Sequence, residues 1–84
     1  MFYVYILQSL KNQSYYTGYT EDIKKRLVMH NVGKVKATRY IRPLKVVYIE
    51  IYNTATEARK REYYIKRQKS RKFIEDLIRN SKRN

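Results

Sequence analysis

Residues 3–19 read YVYILQSLKNQSYYTGY, and this stretch decides the fold prediction. Its two ends, residues 3–8 and 15–19, are rich in the aromatic and β-branched side chains that are typical of strands. The residues between them, 9–14, are mostly polar and have the composition of a turn. The pattern therefore predicts an antiparallel β-hairpin at the start of the chain.

The length of the turn determines which residues of the hairpin face each other. A turn over residues 9–14 pairs Leu7 with Tyr16. The same turn pairs Tyr5 with Gly18. Directly paired residues share a face of the sheet, so the phenols of Tyr5 and Tyr16 should project to the same side. Gly18 has no side chain and should leave room beside Tyr5 for a backbone or a phosphate. Ordinary core packing is the alternative interpretation of both tyrosines.

The rest of the chain predicts one more strand and three helices. The predicted elements are a helix from a Thr20 cap to about Asn31, a strand over residues 45–52, a helix from a Thr54–Glu57 capping box to about Gln68, and a last helix from a Ser70 cap. The order β-β-α-β-α-α predicts an α+β fold, with a small three-stranded antiparallel sheet flanked by helices. We expect one domain over residues 1–80 and a frayed basic tail over residues 81–84.

Composition narrows the classes of function. The 84 residues include 20 Lys and Arg against 7 Asp and Glu, a net charge of +13, for which phosphate polymers are the commonest partner. Cysteine is absent, which excludes disulfides, thiolate nucleophiles and cysteine-ligated zinc. No apolar run approaches the roughly 20 residues that span a bilayer. We therefore expect a cytoplasmic protein with no membrane partner.

Basic side chains concentrate in two stretches. Residues 32–44 form a long connection without predicted structure after Gly33, and residues 59–72 hold eight basic residues against one acid. The candidates for nucleic-acid binding are Lys34, Lys36, Arg39, Arg42, Arg59, Lys66 and Arg67. Solvated charged faces are the alternative interpretation. Few aromatic side chains stand out on these basic faces, so the sequence does not strongly indicate stacking of unpaired bases.

Helical spacing places Glu62 on an apolar face. Glu62 lies between Ala58 and Ile65 on the inner side of its predicted helix, where a carboxylate is costly without a cation. One interpretation is an internal salt bridge with a neighbouring cation or with Arg26. The other is a one-carboxylate site for a hard divalent cation that also contacts phosphate.

In the first helix, Ile23 and Leu27 mark the core stripe. Arg26 and His30 lie four residues apart on the border of that stripe. His30 is the single histidine of the chain, and a solvated residue at the end of a helix is its plainest interpretation.

The hairpin and helices together resemble the GIY-YIG nuclease superfamily, in particular its short single-domain branch. The two signature tripeptides read Tyr-Val-Tyr at residues 3–5 and Tyr-Thr-Gly at residues 16–18, with ten residues between them. Arg26 and His30 match an arginine and a following His or Tyr of the family's first helix. Glu62 matches the family's metal-binding glutamate. Two departures are Tyr3, in place of the first glycine, and Tyr19, where several members carry a lysine.

The resemblance implies metal-assisted hydrolysis of phosphodiester bonds. Glu62 would hold Mg²⁺ or Mn²⁺, and Arg26 would neutralise a phosphate oxygen. Tyr5 or Tyr16 would orient and deprotonate the attacking water, with His30 as a proton relay. The implied function is a divalent-metal-dependent endonuclease, with DNA favoured over RNA. The alternative is a nucleic-acid-binding module of the same fold with weak or no catalysis.

Overall fold

The computed structural model describes residues 1–81. Its elements are β1 (Phe2–Ser9), β2 (Tyr15–Thr20), α1 (Ile23–Asn31), β3 (Leu44–Tyr52), α2 (Ala55–Gln68) and α3 (Arg71–Ser81), with one 3₁₀ turn at Arg39–Ile41. The predicted order β-β-α-β-α-α is confirmed. Ser81, assigned to the tail by its sequence, is the last residue of α3. Residues 82–84 lie outside the described part of the chain.

The sheet has the strand order β2-β1-β3, and both pairs are antiparallel. The hairpin register is the predicted one, since Leu7 pairs with Tyr16. Tyr5 likewise pairs with Gly18. The central strand β1 thus carries the Tyr5 phenol on the face of the sheet that it shares with Tyr16.

Helices cover both faces of the sheet. On one face, Val4 packs with Ala58 and Ile65 of α2, and α3 adds apolar side chains around them. On the other face, Tyr5 and Leu7 form a second cluster against α1. Tyr5 therefore lies between the central strand and the helix that carries the candidate arginine and histidine.

The start of α1 differs from the prediction. Asp22, rather than Thr20, is the N-cap, and its Oδ1 accepts a hydrogen bond of 3.0 Å from the Lys25 amide. Thr20 still pairs with Tyr3 at the end of β2, so the chain needs two more residues before it can turn into a helix. The Thr20 hydroxyl accepts instead from the Asp22 amide at 3.2 Å.

The other two helices begin at the predicted caps. The Thr54 hydroxyl accepts from the Glu57 amide at 3.2 Å and donates to the Glu57 carboxylate at 3.0 Å. The Ser70 hydroxyl accepts from the Phe73 amide at 3.1 Å. These side chains satisfy amides that have no partner in the first turn of a helix, and they fix where α2 and α3 start.

The connection between α1 and β3 is more ordered than predicted. Gly33 ends the helix with a φ of 86°, as its position indicated. The 3₁₀ turn at Arg39–Ile41 then interrupts what the sequence predicted as structureless chain. The Asn31 side chain bridges the connection by accepting from the Leu44 amide at 2.8 Å and donating to the Leu44 carbonyl at 3.0 Å.

A half-buried ion pair joins β3 to α2. Glu50 accepts three hydrogen bonds from Arg61, the shortest at 2.9 Å, and one each from Tyr48 and Tyr52 at 2.5 and 2.6 Å. Burial by itself would raise the pKa of Glu50, but these hydrogen bonds outweigh it and lower the pKa. The network holds α2 against the sheet and so sets the position of Glu62, the next residue along the helix.

Candidate functional site

A chain of hydrogen bonds runs through the interior between β1, α1 and the connection that follows. The Tyr5 hydroxyl lies 2.9 Å from Nε2 of His30, whose Nδ1 lies 2.7 Å from the Thr38 hydroxyl. Thr38 in turn approaches the Val35 carbonyl at 3.5 Å. At the other end, Arg26 donates from Nε to the Tyr5 oxygen at 3.4 Å. The chain thus joins side chains of β1, α1 and the connection, and both partners of the Tyr5 phenol come from α1.

Which atom donates in each hydrogen bond of this chain follows from the end at Thr38. Thr38 satisfies its hydroxyl by donating to the Val35 carbonyl, and it can then accept from Nδ1–H of His30. Nε2 of His30 is left as an acceptor, so the Tyr5 phenol donates to it. Arg26 is a donor only, and its Nε–H is directed at the Tyr5 oxygen. This arrangement points the proton of Tyr5 at His30.

Burial controls the protonation of both groups. His30 is fully buried, and desolvation together with the nearby charge of Arg26 lowers its pKa to about 4. The interpretation of His30 as a solvated residue at the helix end is therefore wrong. Burial also raises the pKa of Tyr5, although Arg26 opposes the shift, while the charges of Tyr16 and Glu62 add to it. In the free protein at neutral pH, Tyr5 is protonated and His30 is neutral.

Gly18 makes room for Tyr5 itself. A Cβ atom at Gly18 would lie 2.5 Å from the Tyr5 hydroxyl oxygen and 2.7 Å from its Cζ. The space that the sequence assigned to an approaching backbone or phosphate is therefore filled by the Tyr5 ring, which lies over the glycine. The glycine is needed so that the phenol can reach His30.

Gly18→Ala is expected to lower the free energy of unfolding by about 1–3 kcal/mol, because the new methyl group overlaps a buried ring that cannot easily move. Urea denaturation of the variant and the wild type measures the difference. The matched test repeats the substitution in a Tyr5→Leu background, where the shorter side chain removes the overlap and the cost should shrink. An equal cost in both backgrounds would contradict the steric explanation.

A second group of side chains lies beside this chain, between β2 and α2. The Tyr16 ring meets the His30 ring edge-on, with centroids 5.2 Å apart. Lys66 lies with Nζ 5.5 Å from the centroid of Tyr16 and 3.0 Å from Oε2 of Glu62. The salt bridge predicted as one interpretation of Glu62 is therefore present, with Lys66 as the partner. Lys66 also connects the carboxylate to the tyrosine cluster.

Glu62 has the donor chemistry of a one-carboxylate magnesium site. Its side chain is largely buried, with 19% exposed, and its charge acts on Tyr5. Within residues 1–81, no three His, Cys, Asp or Glu side chains come together as a metal site. Mg²⁺ commonly binds through one or two carboxylates and completes its shell with water and substrate phosphate, so a single glutamate fits it.

The cations predicted to bind nucleic acid are all exposed and fall into two groups. The connection carries Lys34, Lys36, Arg39 and Arg42, and α2 carries Arg59, Lys66 and Arg67. Arg39 and Arg42 also shape the connection, because their Nε atoms donate to the carbonyls of Gly33 and Arg39 at 3.1 and 2.7 Å. None of the helices within residues 1–81 combines the length and the apolar character that a membrane span requires.

Sequence reasoning missed two residues near the site. Thr38 is fully buried and orients His30, but a threonine within a basic connection gives no signal of that role. Tyr63 is 63% exposed on the basic surface of α2, against the expectation that free aromatic side chains are few there. Its spacing of four residues from Arg59 and Arg67 was a usable signal.

The sequence matches one family model and several known bacterial proteins. The family model for the GIY-YIG catalytic domain matches residues 1–74. UPF0213 protein SSP2268 of Staphylococcus saprophyticus is 47% identical over 78 residues, which cover 88% of this chain and 94% of that protein. UPF0213 protein CPE1444 of Clostridium perfringens is 48% identical over 68 residues, which cover 80% of this chain and 72% of that protein.

A solved structure gives the same result for the fold. The solution NMR structure of the UPF0213 protein BH0048 from Bacillus halodurans matches with a TM-score of 0.57 and 40% identity, covering 93% of this chain and 83% of that chain. The family match runs from β1 into α3 and includes Tyr5, Tyr16, Arg26, His30 and Glu62. The chain therefore belongs to the GIY-YIG family, within the short single-domain branch formed by the UPF0213 proteins.

Proposed function

We propose that this protein is a divalent-metal-dependent endonuclease that hydrolyses phosphodiester bonds, with DNA favoured over RNA as the substrate. Membership of the GIY-YIG family indicates nuclease activity and a nucleic-acid substrate. The observation that carries the proposal is the meeting of Tyr5, Arg26 and His30 in one hydrogen-bonded chain. Tyr16 and the Glu62 carboxylate lie directly beside it.

Glu62 is the residue that would hold the ion, and Mg²⁺ or Mn²⁺ suits its hard oxygen donor. When bound, such an ion offsets the negative charge that builds on the phosphate in the transition state. Lys66 contacts this carboxylate, with its Nζ 3.0 Å from Oε2 of Glu62. Its ammonium group offsets the charge of the largely buried Glu62 carboxylate, and the same group can also contact a phosphate oxygen of a substrate.

Arg26 has two roles in this proposal, contact with Tyr5 and binding of phosphate. Its Nε donates to Tyr5, and the two terminal nitrogens of a guanidinium can bind phosphate oxygens at the same time. A phosphate beside Arg26 would offset the positive charge that helps to lower the pKa of His30. Substrate binding would therefore make the histidine a better proton acceptor than it is in the free protein.

Tyr5 and His30 together supply a path for the proton of the attacking water. The water proton passes to the Tyr5 oxygen while the phenolic proton passes along the existing hydrogen bond to Nε2 of His30. Tyr5 never needs to exist as a free phenolate, which its burial disfavours. Tyr16 lies edge-on to the same imidazole and is the second candidate for contact with the water.

One observation favours the alternative of a binding module with weak or no catalysis. The buried groups of the site already have partners within the chain, because Tyr5 and Thr38 both bond to His30. Glu62 is likewise neutralised by Lys66. Such a closed network can persist for its structural value after catalysis is lost, while the exposed cations still bind phosphates.

A cleavage panel separates the two functions. Labelled single-stranded, duplex and branched DNAs and RNAs are incubated with Mg²⁺, Mn²⁺ or EDTA, using the wild type and Arg26→Ala. The nuclease proposal expects metal-dependent cutting, lowered by about 10²-fold or more in Arg26→Ala. Tight binding that weakens steeply with salt, without cutting under any metal, would overturn the nuclease and support the binding module. Salt-independent or absent binding would overturn both.

A further inference from the structure

The outward face of α2 carries a cation–aromatic–cation strip. Arg59, Tyr63 and Arg67 follow one another at intervals of four residues, so they share one side of the helix and stand about 6 Å apart along its axis. All three side chains are exposed. The guanidinium carbon of Arg67 lies 5.5 Å from the centre of the Tyr63 ring. We name these three residues the α2 strip.

The next residue of α2 is also a tyrosine, and it has a structural role. Tyr64 packs edge-on against Phe73 of α3, with ring centroids 6.1 Å apart. Within residues 1–81, Tyr63 forms no aromatic pair of this kind, and its cation–π contact is with Arg67. A large aromatic ring held 63% exposed on a positively charged helix is available to a ligand.

The strip adjoins the proposed catalytic carboxylate. Tyr63 and Arg59 line a surface groove together with Glu62, Thr56 and Lys60. Glu62 faces the groove and also contacts Lys66 beside Tyr16. A strand bound along the groove therefore passes the residue that is proposed to hold the metal.

We infer that the α2 strip binds an unpaired nucleotide next to the cleavage site, with its base stacked on Tyr63 and its flanking phosphates on Arg59 and Arg67. Every base offers a flat face to an aromatic ring, and cations on both sides match the phosphates of a single strand. Bases within a duplex are stacked on each other and must be flipped out before they can reach a protein ring. The preferred substrate class is therefore nucleic acid with a single-stranded segment rather than plain duplex. This inference rests on the proposed function for its site and names the substrate of that site.

The test measures binding in EDTA, so that it does not depend on cleavage. The full chain is titrated into a fluorescein-labelled single-stranded deoxythymidine oligonucleotide and into a mixed-sequence duplex of equal length, with anisotropy as the readout. Tyr63→Ala should weaken single-strand binding roughly 5- to 150-fold, the range for loss of one base–aromatic stack. Duplex binding should change by less than about twofold, because phosphate contacts dominate it.

Two further variants make the outcome specific. Tyr63→Phe keeps the ring and should bind like the wild type, which assigns the effect to the ring and not to the hydroxyl; the retained duplex binding of Tyr63→Ala excludes a general folding defect. Tyr40→Ala is the matched control, since Tyr40 is 77% exposed in the other basic region, and this variant should also bind like the wild type. Equal weakening on single strand and duplex, no weakening, or the same loss in Tyr40→Ala would overturn the inference. Absence of cleavage under any metal would overturn the proposed nuclease and leave the binding result unaffected.

Discussion

Glu62→Gln is expected to abolish metal-dependent cleavage while it leaves nucleic-acid affinity nearly unchanged. Glutamine keeps the size of the side chain but replaces the anionic oxygen donor with a neutral amide, a much weaker ligand for a hard cation. The loss of rate should be on the order of 10²–10³-fold, as for other single groups that stabilise charge in a transition state. Affinity should persist because Lys66, released from its 3.0 Å contact, keeps its positive charge beside the site.

Single-turnover cleavage rates and anisotropy titrations on one labelled substrate measure the two quantities separately. Glu75→Gln is the matched control, since Glu75 forms the same kind of pair with Arg71, at 3.0 Å on α3 and outside the site. This variant should cleave at the wild-type rate. Unchanged cleavage by Glu62→Gln would remove that residue from the mechanism. Equal loss in both variants would show that surface charge, and not metal binding, governs activity.

The hairpin could be predicted in detail because its information is local. Turn length and the period of two residues along a strand determine which side chains share a face, so the register of Tyr5 and Tyr16 followed from residues 3–19 alone. The caps of α2 and α3 were equally local, since Thr54 and Ser70 bond amides three residues ahead. The helix that carries Glu62 therefore began where the sequence placed it.

The predictions that were wrong concern residues whose positions depend on contacts between distant parts of the chain. His30 is buried because Tyr5, from another element, and Thr38, from the connection, both bond its ring. Neither contact has a signature in the sequence around the histidine. The space beside Gly18 was misassigned for the same reason, since the glycine alone does not reveal that the Tyr5 ring tilts over it. Thr20 failed as a cap because sheet pairing, a tertiary constraint, holds it in β2.

The buried histidine leads to a prediction about acid stability. The pKa of His30 is about 4 in the folded protein, through desolvation first and then the charge of Arg26, against an ordinary value of 6.5. Between these two values the unfolded chain binds more protons than the folded one, so the free energy of unfolding rises with pH. The stabilisation is complete above about pH 6.5 and is lost as the pH falls toward 4. The full loss from this one residue is about 3 kcal/mol.

Urea denaturation of the wild type and of His30→Gln at a series of pH values from 7 to 5 tests this origin of the acid sensitivity. Glutamine can still donate and accept hydrogen bonds between Tyr5 and Thr38, but it does not titrate. The variant should be less stable at pH 7 and should lose little further stability on acidification.

Glu50 does not add to this slope, because its pKa is lowered in the folded protein. Its contribution to the free energy of unfolding is therefore lost only below its ordinary pKa of 4.5. A flat wild-type profile above pH 5, or the same slope in both proteins, would contradict the assignment to His30. A slope confined to the wild type would show that the phenol–imidazole–hydroxyl chain is closed and uncharged in the free protein. A substrate phosphate beside Arg26 would then have to shift the protonation of that chain before cleavage.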